Sequence, residues 1–504
     1  MLSNRLDPPF RTMTQSCVIA LLVFTTVATE GQAQTWSQLN PAGVLPAARS
    51  QMGYGYDETA DRLVVYTGNV GGWFPDDAWV LVNATQPGTA SSWQQLSVPG
   101  QWPPNRESPG SIYDPTSNEL FIHGGWGPQL KDTWVLTNAN GLGGTPTWLQ
   151  LPDGPVSRTA PATAYDQATN RLIVFGGLHN DYYTVLNAWN DVWVLTNANG
   201  VGGTPTWIQL NPVGVSPAGR GFAASTYDPA SNRLIVHGGR DASAYCLDDL
   251  WVLTYANGVG GTPTWIQLNP PFGPLGRDGH RMVYNPSSNK ALIYGGATVA
   301  GTTLDDVWLL RHADGTTGTP QWTQLVPTGD DPGKNDKYAA GYSPTADAFV
   351  AALGVNSNGW YSNQTWLLSD AGLTPDDDPP VCDQASATPN LLWPPNHRLV
   401  PVRIAGIADP NGDPLTITVT GITQDEAANG LGDGDTAPDG VLAGSTAQVR
   451  AERAGSGDGR VYQVSFTASD GRGGLCSGAV GVGVPHEAKG TPVDSGQGYD
   501  STQP

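Results

Sequence analysis

The chain has 504 residues, room for two or three domains. Glycine (64) and proline (42) are abundant and charged residues make up only 14%, a composition of short strands and turns rather than helices. The formal charge of −21 excludes a phosphate-binding surface for nucleic acid and any attraction to an anionic membrane face.

Near the N-terminus Arg5 and Arg11 precede an apolar stretch at 17–28, and the small residues Gly31 and Ala33 follow. This is the pattern of a secretory signal cut before Gln34. The stretch is too short to span a bilayer, and no later segment is apolar enough to do so. Residues 1–33 are therefore read as a signal peptide, and the mature chain as secreted, extracellular or periplasmic.

From residue 34 a Trp–x–Gln–Leu tetrad recurs at Trp36, Trp93, Trp148, Trp207, Trp265 and Trp322. Between tetrads the same order recurs: an Arg, an aromatic–Asp turn, a hydrophobic run ending in Gly–Gly, then an Asp–x–Trp–Val–Leu segment. In the third repeat the four apolar segments are 162–165, 171–175, 191–195 and 207–210, separated by turn residues. Four short strands per repeat is a propeller blade. Third-strand tryptophans occur at Trp79, Trp134, Trp193, Trp251, Trp308 and Trp366, with no tetrad after the last. The expectation is six blades over 34–374, the sixth completed by Trp36-Ser-Gln-Leu39. This order of motifs resembles the kelch family, which implies an all-β, six-bladed kelch-type β-propeller closed by its N-terminal strand.

Two slots vary together. Arg49, Arg106, Arg158, Arg220 and Arg277 occupy one, and Asp77, Asp132, Asp191, Asp249 and Asp306 the other. In the sixth repeat they hold Asn335 and Gln364, so both charges vanish at once. That joint loss points to Arg–Asp pairs bracing the blades rather than to a cationic ligand mouth. His123 and His237 are assigned the slot held elsewhere by Thr67, Phe175, Tyr294 and Leu353, a packing position.

The loops differ by face. Those joining strands 3 and 4 are near copies, such as 138–146 and 197–205, and read as scaffold. Those joining strands 2 and 3 vary and carry aromatics: Trp73, Phe74, Trp126, Tyr182, Tyr183, Trp189, Tyr245, Trp360 and Tyr361. Rings amid polar groups suit sugars or a protein partner.

Residues 375–380 read as a linker, and 381–486 as a β-sandwich from their alternating apolar runs. Asp409-Pro-Asn-Gly-Asp413 and Ala468-Ser-Asp-Gly471 resemble cadherin-like and Ig-like modules of secreted bacterial proteins. Cys382 and Cys476 flank this region and are expected to pair. Asp409, Asn411, Asp413, Asp433, Asp435 and Asp470 are candidate calcium (Ca2+) ligands. The Asp409–Asp413 spacing is not an EF-hand, since Pro414 and Thr420 stand where Gly and Glu are needed. Residues 487–504 are expected to be a disordered tail.

The functional reading is a secreted, non-catalytic, monomeric protein that binds an extracellular glycan or protein through the strand 2–3 loops. The alternative is enzymatic. Kelch propellers with an Ig-like module resemble galactose oxidase, which implies a copper-radical oxidoreductase or another carbohydrate-active propeller enzyme. Tyr245, Cys246, His179, His280 and His397 are the residues available for it, but that enzyme has seven blades. No Ser–His–Asp signature, phosphate loop or zinc spacing is present.

Overall fold

A computed structural model describes residues 34–503, except 87, 128–129, 180–186, 357, 377, 429–435, 456 and 472–473. Among the described residues there are strands and turns and no helix. The signal-peptide reading falls outside them.

Each repeat forms one small antiparallel sheet. In the third, Ala162–Asp166, Arg171–Phe175, Val192–Thr196 and Thr206–Leu210 pair in sequence order. The second and third strands are largely apolar and mostly buried, while the fourth carries a half-buried or buried Trp and a half-buried Leu with two exposed residues between them. The first strands, Gly53–Asp57, Gly110–Asp114, Ala162–Asp166, Ala224–Asp228, Arg281–Asn285 and Ala339–Ser343, adjoin one another in cyclic order. The sixth sheet takes its fourth strand from the start of the chain: Thr35–Leu39 runs antiparallel to Thr365–Ser369.

A ring of backbone hydrogen bonds runs through all the units at the entry to the first strands. The N–H of Gln51 donates to the Lys337 carbonyl (3.0 Å), Ser108 to Gln51 (2.7 Å), Ala160 to Ser108 (2.8 Å), Phe222 to Ala160 (3.0 Å), Gly279 to Phe222 (3.0 Å) and Lys337 to Gly279 (3.0 Å). Each of these residues has positive φ, including the bulky Phe222 at 57° and Lys337 at 53°. Such backbone strain persists only where surrounding structure fixes it, and here the ring does.

The Arg–Asp pairs are present. Arg49, Arg106, Arg158, Arg220 and Arg277 reach Asp77, Asp132, Asp191, Asp249 and Asp306 at 2.5–2.9 Å, with the arginine side chains at most 1% exposed. Each Asp also accepts the indole N–H two residues on, as Asp132 does from Trp134 at 2.7 Å. Each arginine additionally donates to a carbonyl eighteen residues later, for example Arg106 to Gly124 at 2.8 Å. In the sixth unit Asn335 keeps that last bond, to Leu353, at 3.0 Å.

These bonds correct one alignment. Thr67 and Leu353 are not equivalent to His123: they take the place of the first glycine of Gly–Gly, with φ of 51° and 66° against 63° at Gly124. The packing slot holds Tyr66, His123, Phe175, His237, Tyr294 and Ala352, all pairing with the first residue of the preceding strand. The sequence misleads there because a β-branched Thr and a Leu stand in a left-handed conformation usually left to glycine.

After the sixth unit come two further four-stranded sheets. One contains Leu399–Ala405 and Thr446–Arg450, the other Thr416–Gln424, Arg460–Ser469 and Leu475–Val484. They enclose one core that includes Val402, Val449, Ile422, Tyr462, Val464, Phe466 and Val482. Cys382 and Cys476 are disulfide-bonded, their Cα atoms 5.9 Å apart. The segment between the sheets of the sixth unit and this core is held on both sides. Asp376 pairs with Lys290 at 2.7 Å, and Asn411 bonds the Asp376 carbonyl and the Asp378 N–H, both at 2.7 Å.

The tail departs from expectation. Tyr499–Asp500 pairs with Thr423–Gln424, the Ser495 N–H donates to Asp425, and Ser501 is buried. Composition alone pointed to disorder, but an open sheet edge offers unpaired N–H and C=O groups that even a polar segment can satisfy.

Candidate functional site

The two ends of the six-unit ring are built differently. The strand 3–4 loops act as staples between neighbours. Asn140 donates to the turn carboxylate of Asp57 in the preceding unit at 2.6 Å, and Asn257 does the same to Asp166 at 2.6 Å. Arg62, Arg171 and Arg233 close the same seams on the carbonyls of Asn140, Asn257 and Asp314. Their near-identity is explained by this repeated load.

The strand 2–3 loops lie beside the entry to the first strands. Isolated bridges join Ser50 to Asn69, Glu107 to Trp126, Thr159 to Leu178, Gly221 to Arg240 and Asp278 to Ala297. These loops therefore surround the hydrogen-bonded ring, which is the mouth of a central channel of 530 Å³ lined by all the first strands.

The aromatic residues of these loops are placed as follows. Trp360, Trp73 and Tyr245 are 71%, 60% and 59% exposed, and Trp126 is 36% exposed. The Phe74 and Trp126 rings meet edge to face at 6.1 Å, and Tyr361 donates to Asn69 at 3.0 Å. Trp360, Tyr361, Trp73, Phe74 and Trp126 thus come from the sixth, first and second units, which are neighbours. Trp189 is half-buried, its ring 6.1 Å from that of His179, and so serves partly as packing. Tyr182 and Tyr183 lie outside the described residues.

At the mouth, two clusters were not visible to motif reading. In one, Glu107 accepts from Asn69 (2.5 Å) and Gln51 (3.1 Å), and Ser108 donates to Gln51 (2.7 Å). Burial pushes the Glu107 carboxyl up, and the Asn69 bond and the Lys337 charge only partly offset this. In the other, the Phe222 ring carries the Arg240 guanidinium at 5.2 Å and the Lys337 ammonium at 5.5 Å. Lys337 pairs with Asp336 at 2.5 Å and Arg240 with Asp278 at 3.4 Å. Burial alone would lower the Lys337 pKa, but the carboxylates of Asp336 and Asp278 raise it, so its charge is held firmly. Asp278 is pushed up, mainly by burial.

The residues of the copper alternative are not brought together. His280 is fully buried with its Nε2 2.9 Å from His237 Nδ1, and burial drives both imidazoles towards the neutral form. Cys246 donates to the Ala297 carbonyl at 3.6 Å, its thiol pushed up by burial to about 11. His397 bonds Glu452 at 2.9 Å beside the C-terminal sheets, and His179 bonds Ser157 at 2.8 Å. Among the candidate calcium ligands, Asp409 Oδ1 accepts the N–H groups of Asn411 and Asp413, and Asp470 Oδ1 that of Gly474. Asp433 and Asp435 lie outside the described residues. Among the described residues no group of three or more His, Cys, Asp or Glu is placed to hold a metal ion, and no helix is long and apolar enough to cross a membrane.

Residues 74–270 match a family model described as the KLHDC2/KLHL20/DRC7 Kelch-repeats domain. An F-box/kelch-repeat protein of Arabidopsis thaliana is 28% identical over 202 residues, which cover 38% of this chain and 40% of that protein. The match thus spans about two fifths of that relative's length. A solved structure, that of YjhT, aligns with 15% identity and a TM-score of 0.47, over 64% of this chain and 95% of its own.

Proposed function

We propose that the six sheets are the blades of a closed six-bladed kelch-type propeller, followed by an Ig/cadherin-like module, in an exported protein that binds another protein. The binding face is formed by the strand 2–3 loops around the channel mouth. The exposed group Trp73, Trp126, Tyr245 and Trp360 on this one variable face carries the reading. Large rings left in water are the usual anchors of protein interfaces, because they bury much area at little rotamer cost. The kelch-repeat match supports an interaction role.

The test is retention of partners by the immobilised mature chain, with Trp73→Ala/Trp360→Ala beside it. Both side chains are exposed, so the variant should keep its Tm, surface changes costing within about 0.5 kcal/mol each. A specific protein retained by the wild type and lost in the variant is the expected result. Retention of polysaccharides alone, lost in the same variant, would replace the protein partner by a glycan. Equal retention by both forms would remove this face from the reading.

A further inference from the structure

Four residues after each bracing Arg or Asn, the first strand begins. That slot holds Gly53, Gly110, Ala162, Ala224, Arg281 and Ala339. Small residues are required there: a Cβ on Gly110 would sit 2.5 Å from Thr163, and one on Gly53 3.3 Å from Ile122. The fifth unit nevertheless places an arginine. The next unit's strand opens with the small residues Ala339-Ala-Gly341.

Arg281 lines the central channel. Its Nε donates to the Tyr338 carbonyl at 2.8 Å, and its guanidinium lies 5.0 Å over the ring of Tyr54, from the first unit. The orientation of the group is thus fixed on two sides. Its Nη groups have no hydrogen-bond or ion-pair partner among the described residues, in contrast to the five bracing arginines, each held by a carboxylate. A half-enclosed guanidinium without a counter-charge is costly in a fold that supplies carboxylates freely, with a net charge of −21. Lys337 also lines the channel, but its charge is met by Asp336, so Arg281 is the lining cation left to an anion.

We propose that the central channel binds a small carboxylate-bearing molecule, its carboxylate taking both Nη groups of Arg281. The planar fork matches a carboxylate through two parallel hydrogen bonds. The rest of the ligand lies against Tyr54 and the Ala340–Gly341 wall. The channel volume of 530 Å³ suits a small molecule. The site is separate from the loop aromatics and does not depend on them.

The experiment is ligand-observed NMR and calorimetry on the mature chain with acetate, benzoate and glucuronate, and with neutral benzamide as control. At least one carboxylate should bind, benzamide should not, and the affinity should fall with salt. Arg281→Ala should weaken it about tenfold or more. That variant is expected to fold, since three other units carry Ala in the slot. Arg281→Lys, which keeps the charge but loses the fork, serves if it does not, and should also bind more weakly. Trp73→Ala/Trp360→Ala should bind the carboxylate as the wild type does, which separates this site from the loop face. No binding of any of the three carboxylates would overturn the proposal. So would equal binding in the Arg281 variants.

Discussion

Asp132→Ala should destabilise the six-sheet unit by about 3–5 kcal/mol, the cost of leaving a buried partner charge uncompensated. Arg106 is wholly buried and spends two of its N–H groups on Asp132, at 2.9 and 2.6 Å. Without the carboxylate those donors cannot reach water. The double change Arg106→Asn/Asp132→Gln should cost less than the single one, because it removes both charges together. The sixth unit already lives with that combination, Asn335 keeping the bond to the Leu353 carbonyl. Denaturant midpoints of the wild type, both single variants and the double variant would give the coupling. Additive costs would mean that the pair is not a unit.

The same pairs set the acid limit. Burial alone would raise the carboxyls of Asp132, Asp249 and Asp306, but the hydrogen bonds and charges of Arg106, Arg220 and Arg277 more than reverse this and lower them. A carboxylate depressed in the folded state contributes its full stability above the unfolded value of about 3.9. That contribution is lost as pH falls through the lower folded values. Thermal stability should therefore drop below about pH 4, and in Asp132→Ala the drop should be shallower.

Much of this was legible because repetition gives internal controls. Slots that hold Phe, Tyr and His in turn are packing positions, and slots that lose Arg and Asp together are partners. The same comparison would have exposed Arg281 among glycines and alanines, but only with the strand starts placed correctly, and Thr67 and Leu353 shift that frame by a residue. The mouth clusters were hidden for another reason. Phe222, Arg240 and Lys337 are far apart in sequence and meet only because the ring of backbone bonds brings the fourth and sixth units beside one channel. The aromatic loops stood out as a set, yet Trp189 and Tyr361 turn out to be engaged by neighbours, which no spacing reveals. The tail shows the limit of composition, since a polar segment is ordered here by an edge it cannot encode.

Trp36→Ala is the second large effect, again about 3–5 kcal/mol for truncating a buried Trp. Its cost should be felt beyond its own sheet. Trp36 is 4% exposed and sits in a strand that pairs with Thr365–Ser369, more than 300 residues away in sequence. Its ring packs on Tyr294 of the fifth unit at 5.1 Å and on Phe349 of the sixth at 6.1 Å. Fourth-strand tryptophans elsewhere make the equivalent contact with the preceding unit, as Trp265 does with Phe175 at 4.8 Å and Trp148 with Tyr66 at 4.7 Å. Those strands are tied to their sheets by short loops. Thr35–Leu39 is held instead by its pairing with Thr365–Ser369, by a short parallel pairing with Thr328–Gly329, by bonds to Asp330 and by Trp36, so losing the ring weakens both the seam and the strand. Trp148→Ala removes a ring of the same size from an equivalent seam and serves as the reference. Hydrogen exchange in 365–369 should accelerate in Trp36→Ala beyond what the fall in global stability explains, while the corresponding third strand, 133–137, should follow global stability in Trp148→Ala. Equal, purely global acceleration in both variants would mean that the closing strand is no weaker than an ordinary fourth strand.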